Sequence, residues 1–174
     1  MFKQFVKLKR KKKVVKNIWE TDFEDIWVIE DKNHFLIALN GWICIKCNYG
    51  DNIEKLSKAE SAFWLVSLLQ GQVGNGGFVQ FFFNSSGEFA HEIVEALCEI
   101  GAVRTLHIYK KVIEAVGGIV PKALAERENW YENTITDEVG TTLGEFDLLF
   151  YKDPDNLDEL CYKYILDNKE QFSR

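Results

Sequence analysis

Four glutamates recur at helical spacing near the middle of the chain, close enough for their carboxylates to act on one ligand. They are Glu88, Glu92, Glu95 and Glu99. On an α-helix, positions i, i+4, i+7 and i+11 form one stripe with neighbours about 5–6 Å apart. Repulsion costs about 0.2–0.5 kcal/mol per pair, and no lysine interrupts the stripe. It could satisfy the lysines and arginines that otherwise bind DNA phosphates. The alternative is a solvated face whose lysine partners come from a neighbouring helix or the N-terminus.

A second acidic zone lies in the C-terminal part of the chain. It holds thirteen acids and four bases: the acids are Glu126, Glu128, Glu132, Asp137, Glu138, Glu145, Asp147, Asp153, Asp155, Asp158, Glu159, Asp167 and Glu170. Several fall in predicted loops, from which a side chain reaches a partner easily. The first five join the glutamate stripe as predicted partner-binding residues.

The net charge of −6 is divided unevenly along the chain. Residues 1–16 carry eight lysines and arginines and no acid, which leaves 13 bases against 27 acids, a net charge of −14, in residues 17–174. We therefore predict a basic N-terminal arm, 1–16, and an acidic domain, 17–174. The acidic body should repel nucleic acid and attract basic proteins, although net charge also serves solubility alone. The arm is predicted to be a solvated tail, a segment that folds back on the acidic body, or a contact to a membrane or nucleic acid.

Other chemistry finds little support in the residue pattern. Cys44 and Cys47 form a CxxC without the second ligand pair that zinc needs, which favours two reduced, half-buried thiols. The three histidines belong to no catalytic motif, and the DPDN segment lacks the glycine and glutamate of a calcium loop. We predict no catalytic residue, cofactor or metal, and hence no enzyme. No apolar run is long enough to span a membrane and the N-terminus is not typical of a signal peptide, so a cytoplasmic protein is expected.

The segment NGGFVQFFFNSSG, 75–87, is the most distinctive stretch of the sequence. Asn75 is a suitable helix N-cap, and Gly76 and Gly77 permit backbone angles closed to other residues. Three aromatic residues follow at i, i+3 and i+4, so a short helix would bury them on one side. Asn84 and Ser85 then end that helix, and Ser85 has the spacing of a capping box with Glu88. The segment predicts a tight corner that anchors the core; the aromatic residues are Phe78, Phe81 and Phe82.

NGGF, a glutamine two residues later, aromatic residues and NSSG together resemble the signature of the DNA-mimic protein family. The resemblance extends from about Trp42 to about Gly118, including SKAESAFWLVSLLQGQVG and GEFAHEIVEALCEIGA. It implies a small acidic all-helical bacterial protein whose carboxylates imitate DNA phosphates. The implied partner is a basic DNA-binding protein, such as a transcriptional regulator or nucleoid protein, and the resemblance is compatible with a homodimer. An immunity or adaptor module unrelated to DNA is the first alternative, and a small-molecule binder or enzyme is the second.

The elements that must position these residues are predicted to be helical throughout. We expect an all-α, single-domain globular fold of about seven or eight helices. A TDFE capping box at Thr21 starts the first, with a short strand in DIWVIED as the alternative. Ser57 and Glu60 form a second capping box for a helix to about Gln72. The remaining predicted helices are 34–47, 88–100, 103–116, 121–131 with Pro121 first, a short one in TTLGEFDLLFYK, and one closing the chain, with ENTITDEVG as a loop.

Overall fold

The computed structural model describes residues 21–173, and this part of the chain is helical without any strand. The predicted all-α, multi-helix fold is therefore confirmed. The predicted basic arm, residues 1–16, lies outside the described residues, so the proposed division of the chain stays a prediction. The eight α-helices of the described part are α1 (Phe23–Ile26), α2 (Lys32–Lys46), α3 (Lys58–Phe83), α4 (Glu92–Ile100), α5 (Val103–Ala115), α6 (Leu124–Thr134), α7 (Asp137–Phe150) and α8 (Leu157–Asp167).

The longest helix, α3, lies at the centre and packs against α2, α4, α6, α7 and α8. Its start is the predicted capping box. The Ser57 hydroxyl accepts a hydrogen bond from the Glu60 backbone N–H at 3.1 Å, and the Glu60 carboxylate accepts one from the Ser57 N–H at 2.8 Å. Two otherwise unpaired backbone donors are satisfied in this way, so the sequence alone fixes where α3 begins.

α3 continues past its predicted end at Gln72 and contains the glycine pair as a kink. Gly76 is extended (φ −165°) and Gly77 is left-handed (φ 73°), so the helical hydrogen bonding is interrupted here. The N–H of Phe78, which follows the break, donates to the Asp147 carboxylate of α7 at 2.8 Å. The short helix predicted after the glycine pair is present as the part of α3 beyond the kink. Its predicted cap, Asn75, is wrong, because the Phe78 N–H is capped by Asp147 of α7 instead.

The aromatic residues of the motif fill the core as predicted. Phe78, Phe81 and Phe82 are completely buried. Phe78 packs against Phe150, with ring centroids 5.6 Å apart, and Phe82 packs against Trp130 at 5.7 Å. The edge-to-face contacts join α3 to α7 and α6 and add to the apolar area buried there.

The turn after α3 differs from the prediction. Ser85–Phe89 form a 3₁₀ helix, and α4 begins only at Glu92. Neither N-terminus carries a side-chain cap, so the predicted Ser85–Glu88 capping box is wrong. Instead the buried Ser86 hydroxyl donates to the carbonyl of Phe81 at 2.7 Å, which holds the turn against the end of α3.

Three more boundaries are corrected by the structure. α1 follows Asp22, not Thr21, and the alternative strand in DIWVIED is a helix and turn. α6 begins at Leu124, not Pro121, because the buried Arg127 guanidinium holds the carbonyls of Pro121 and Lys122. The predicted loop ENTITDEVG belongs mostly to α6 and α7, since Thr136 accepts a hydrogen bond from the Val139 N–H at 3.3 Å and starts α7 directly.

Candidate partner-binding surface

The four glutamates of the predicted stripe lie on two elements rather than on one helix. Glu92, Glu95 and Glu99 belong to α4, whereas Glu88 lies in the preceding 3₁₀ helix. The opposite side of α4 is buried through Ile93, Leu97 and other apolar residues. The predicted stripe of four glutamates therefore has three members on α4, and Glu88 is not one of them.

Two of these glutamates have lysine partners from neighbouring elements. The Lys58 ammonium at the start of α3 lies 2.6 Å from the Glu99 carboxylate, and Lys122 forms an ion pair with Glu92. The Tyr164 hydroxyl also donates to Glu99, at 3.2 Å. The hydrogen bond from Lys58 lowers the pKa of Glu99. For Glu99 this arrangement matches the alternative that a solvated face draws its cations from a neighbouring helix, whereas Lys122 lies in the connection before α6.

The other two glutamates differ from each other in exposure. Burial raises the pKa of Glu88, an effect opposed by the positive charge of Arg127. Glu95 is exposed and forms no ion pair within residues 21–173. Whether the α4 glutamates bind a partner stays a prediction, and Glu95 is the most available of them.

A stronger concentration of free carboxylates lies on α6 and α7, which only two residues separate. Residues 124–150 present six exposed acids, and none of them forms an ion pair with any other described residue: Glu126, Glu128, Glu132, Asp137, Glu138 and Glu145. The one base of this stretch, Arg127, is only 2% exposed and donates to backbone carbonyls. We call these six residues the α6–α7 acidic surface.

An apolar notch opens beside this surface, between the end of α3 and α6. Phe83, 64% exposed, and Leu124, 57% exposed, line a cavity of about 200 Å³ together with Tyr131. The rings of Phe83 and Tyr131 meet edge to face, with centroids 5.3 Å apart. The carboxylate side chains of Glu128 and Glu132 also line the notch. Sequence reasoning missed it, although the position of Phe83 directly after the buried aromatic residues of the motif is a signal that could have found it.

Cys44 and Cys47, which the sequence offered as a possible metal or redox pair, are half-buried and buried, respectively. Cys44 accepts a hydrogen bond from the Trp64 indole N–H, with nitrogen and sulfur 3.3 Å apart, and burial raises the pKa of both the Cys44 and Cys47 thiols. Between residues 21 and 173, no three histidine, cysteine, aspartate or glutamate side chains gather closely enough to hold a metal ion. In the same part of the chain, no helix is both long and apolar enough to cross a membrane.

Comparison with models of protein families relates this chain to one known family. A family model described as DMP19-like protein matches residues 54–168, well over half of the sequence. The chain belongs to this family. The match begins later than the predicted limit near Trp42 and reaches beyond the predicted limit near Gly118. It includes α3 to α8, so the kinked helix and the α6–α7 acidic surface both lie within the DMP19-like region. No curated protein and no solved structure matches the chain significantly.

Proposed function

We propose that this DMP19-like protein is a non-enzymatic, acidic interaction protein that occupies the DNA-binding surface of a basic partner, such as a transcriptional regulator or nucleoid protein. The observation that carries the proposal is the α6–α7 acidic surface: six exposed carboxylates in residues 124–150, a stretch whose one base, Arg127, is buried. Such a surface offers a DNA-binding protein the charges that its lysines and arginines normally find on phosphates.

The α6–α7 acidic surface is a better candidate than the α4 glutamates, because Glu92 and Glu99 are already paired with lysines of the same chain. A basic partner would have to displace Lys58 and Lys122 before it gained those two contacts. The unpaired carboxylates of α6 and α7 carry no such cost. An interaction built on them should weaken steeply as salt concentration rises.

The apolar notch supplies the selectivity that charge alone lacks. Phe83 and Leu124 expose apolar area directly beside Glu128 and Glu132. A partner that places an aliphatic or aromatic side chain next to its arginines fits this combination better than a partner with charge alone. We therefore place the centre of the proposed interface at the notch and its charged rim along α6.

The test uses immobilised full-length protein to retain proteins from a bacterial lysate. The retained proteins are then challenged with a short DNA duplex at constant ionic strength. We expect the duplex to release them, and we expect Glu126→Lys/Glu128→Lys/Glu132→Lys to lower retention about tenfold or more, since interfacial charge pairs contribute well over about 1 kcal/mol. The matched control reverses three exposed acids on other elements, Glu30→Lys/Asp167→Lys/Glu170→Lys, and should retain most of the binding.

Equal loss of binding in the two triple variants would contradict the proposed surface and indicate a general effect of net charge. Reversal of the α4 glutamates is a weaker test, because new lysines at Glu92 and Glu99 would face Lys122 and Lys58 and disturb the fold.

The apolar notch also favours a second function, that of a protein-binding module unrelated to DNA. In that case Phe83→Ser should abolish retention while competing duplex DNA leaves it unchanged. Release by duplex DNA together with sensitivity to the α6 reversals would instead support the first proposal. A homodimer, the absence of enzymatic activity and a cytoplasmic location stay predictions.

A further inference from the structure

A groove lies at the other end of α3 from the notch. It has a volume of about 750 Å³ and lies between the start of α3 and α4. Its floor is apolar and includes Leu56, Ala62, Leu65 and Ala96. The groove is open to solvent rather than enclosed, so a segment of polypeptide can enter it.

The rim of this groove is acidic. Four glutamates and one lysine line it: Glu54, Glu92, Glu95, Glu99 and Lys58. Glu54 and Glu95 are exposed and form no ion pair with residues 21–173. One carboxylate oxygen of Glu92 is buried without a hydrogen-bond partner among residues 21–173. An apolar floor with an acidic rim is complementary to a segment that combines apolar and basic side chains.

The chain contains one segment of that composition. Residues 1–16 carry eight lysines and arginines without any acid, and Phe2, Phe5, Val6 and Leu8 lie among the first eight residues. The apolar side chains suit the floor, and the following lysines suit Glu54 and Glu95. Excess negative charge on the groove and excess positive charge on this segment attract each other at any pH where both are ionised.

The segment can also reach the groove. Phe23 of α1 contacts Trp42, with ring centroids 4.5 Å apart, and the Lys46 ammonium lies 5.1 Å from the Trp42 ring. The same ammonium lies 2.8 Å from the carboxylate of Glu60, in the first turn of α3 beside the groove. The residues between Lys16 and Phe23 span about 24 Å when extended. The start of α1 is therefore within tether length of the groove.

We propose that residues 1–16 bind in the groove between α3 and α4 and neutralise its acidic rim. The occupied groove then excludes any external basic segment from the α4 glutamates, while the α6–α7 acidic surface on other elements stays available. This inference does not depend on the proposed function, because it concerns a different surface and an occupant from the same chain.

The test introduces a cysteine into the segment with Val6→Cys and uses the native Cys98 as its reaction partner. Cys98 lines the groove and is exposed, whereas the other three cysteines are buried or half-buried. Mild oxidation with diamide should join the introduced thiol to Cys98 by a disulfide within one molecule, at a yield independent of protein concentration. Mass spectrometry of the non-reduced tryptic peptides identifies the bond. Adding Cys98→Ser should abolish it.

A matched pair of charge reversals separates docking from random collision of a tethered segment. Glu54→Lys/Glu95→Lys removes the two unpaired rim carboxylates, and Glu138→Lys/Glu145→Lys makes the same change on α7, which packs on α3 and α5 instead. We expect the first pair to slow disulfide formation about tenfold and the second to leave it within about twofold, because each rim charge faces the lysines directly. Equal rates in the two variants, or no disulfide between the introduced thiol and Cys98 at all, would overturn the proposal.

A second measurement does not depend on the reactivity of Cys98. A fluorophore attached through Val6→Cys in a Cys98→Ser background reports the local mobility of the segment by anisotropy. Docking predicts high anisotropy that falls with Glu54→Lys/Glu95→Lys and in concentrated salt, but not with Glu138→Lys/Glu145→Lys. Low anisotropy that none of these changes affects would likewise reject the docked segment.

Discussion

Asp147 is the side chain on which the kink in α3 depends. It stands on α7, and its carboxylate accepts the hydrogen bond of the Phe78 N–H at 2.8 Å. Nothing in the NGGF motif itself supplies an acceptor to this position, because helical hydrogen bonding is interrupted at Gly76 and Gly77. A buried backbone donor without a partner costs about 1–3 kcal/mol, so one distant carboxylate stabilises the centre of the fold.

Two substitutions of Asp147 distinguish the contribution of its hydrogen bond to stability from the contribution of its negative charge. We expect Asp147→Ala to lower the free energy of unfolding by about 1–3 kcal/mol, since the Phe78 N–H loses its acceptor. Asp147→Asn keeps an oxygen at the same place and should cost clearly less. Urea unfolding followed by circular dichroism measures both. An equal cost for the two variants would mean that the charge, not the hydrogen bond, is what the kink requires.

The same carboxyl group predicts a pH dependence of stability. Burial raises the pKa of Asp147 above its ordinary value, although the Phe78 N–H opposes the shift. The native state therefore binds a proton more tightly than the unfolded state, and this group's contribution to stability falls as pH rises through the window above the ordinary aspartate pKa. The free energy of unfolding of the natural protein minus that of Asp147→Asn should decrease as pH rises from the ordinary aspartate pKa of about 4 towards neutral pH. A constant or rising difference in urea titrations at these pH values would contradict the assignment.

At the scale of elements, α3 shows that a glycine can be required for a reason other than flexibility. Gly77 has φ 73° and ψ −175°, a conformation essentially reserved for glycine. A Cβ atom there would also collide with the Asp147 carboxylate. By contrast, Gly74 lies about one turn earlier in regular helix, exposed, with nothing near the place of its Cβ.

These two positions provide a matched pair of glycine substitutions. Gly77→Ala should destabilise the protein by at least about 2 kcal/mol, because of backbone strain and the collision with Asp147. Gly74→Ala should instead stabilise it by about 0.5–1 kcal/mol, since alanine favours a helix interior. Thermal unfolding of both variants checks the signs. A tolerated alanine at Gly77 would show that the kink relaxes at little cost.

Across the whole molecule, the last described residues join the two ends of the fold. Phe172 is buried and packs against Trp27, near the beginning of the described chain, with ring centroids 6.3 Å apart, and against Phe63 of α3 at 6.5 Å. The backbone of Ser173 continues the contact, because its carbonyl accepts from Lys46 at 2.8 Å and its N–H donates to the buried Glu60 at 3.2 Å. α1, α2, α3 and the C-terminal segment are thereby held together around one ion pair.

We expect Phe172→Ala to lower the free energy of unfolding by about 3 kcal/mol, the usual cost of removing a buried phenyl ring. Phe172→Leu fills most of the space and should cost less than half as much. Urea unfolding monitored by both far-UV circular dichroism and tryptophan fluorescence is the measurement. A cost below about 1 kcal/mol with an early fluorescence change would mean that the C-terminal segment detaches separately from the rest of the fold.

The sequence by itself determined the features that depend on local spacing. The Ser57–Glu60 capping box, the all-helical class and the burial of Phe78, Phe81 and Phe82 follow from residues three or four positions apart, and all three were confirmed. The family was also predicted correctly from the segment 75–87, because the glycines of the kink and the buried aromatic residues follow one another directly in the sequence.

Tertiary structure decided which charges are free and where several helices begin. Lys58 and Lys122 reach the α4 glutamates from 41 and 30 residues away, and Asp147 reaches Phe78 from 69 residues away. No local pattern reports such pairings, because they depend on how helices pack. For the same reason the notch at Phe83 and the groove along α4 emerge only when α3, α4 and α6 meet: a surface is a property of neighbours in space, whereas a sequence lists only neighbours along the chain.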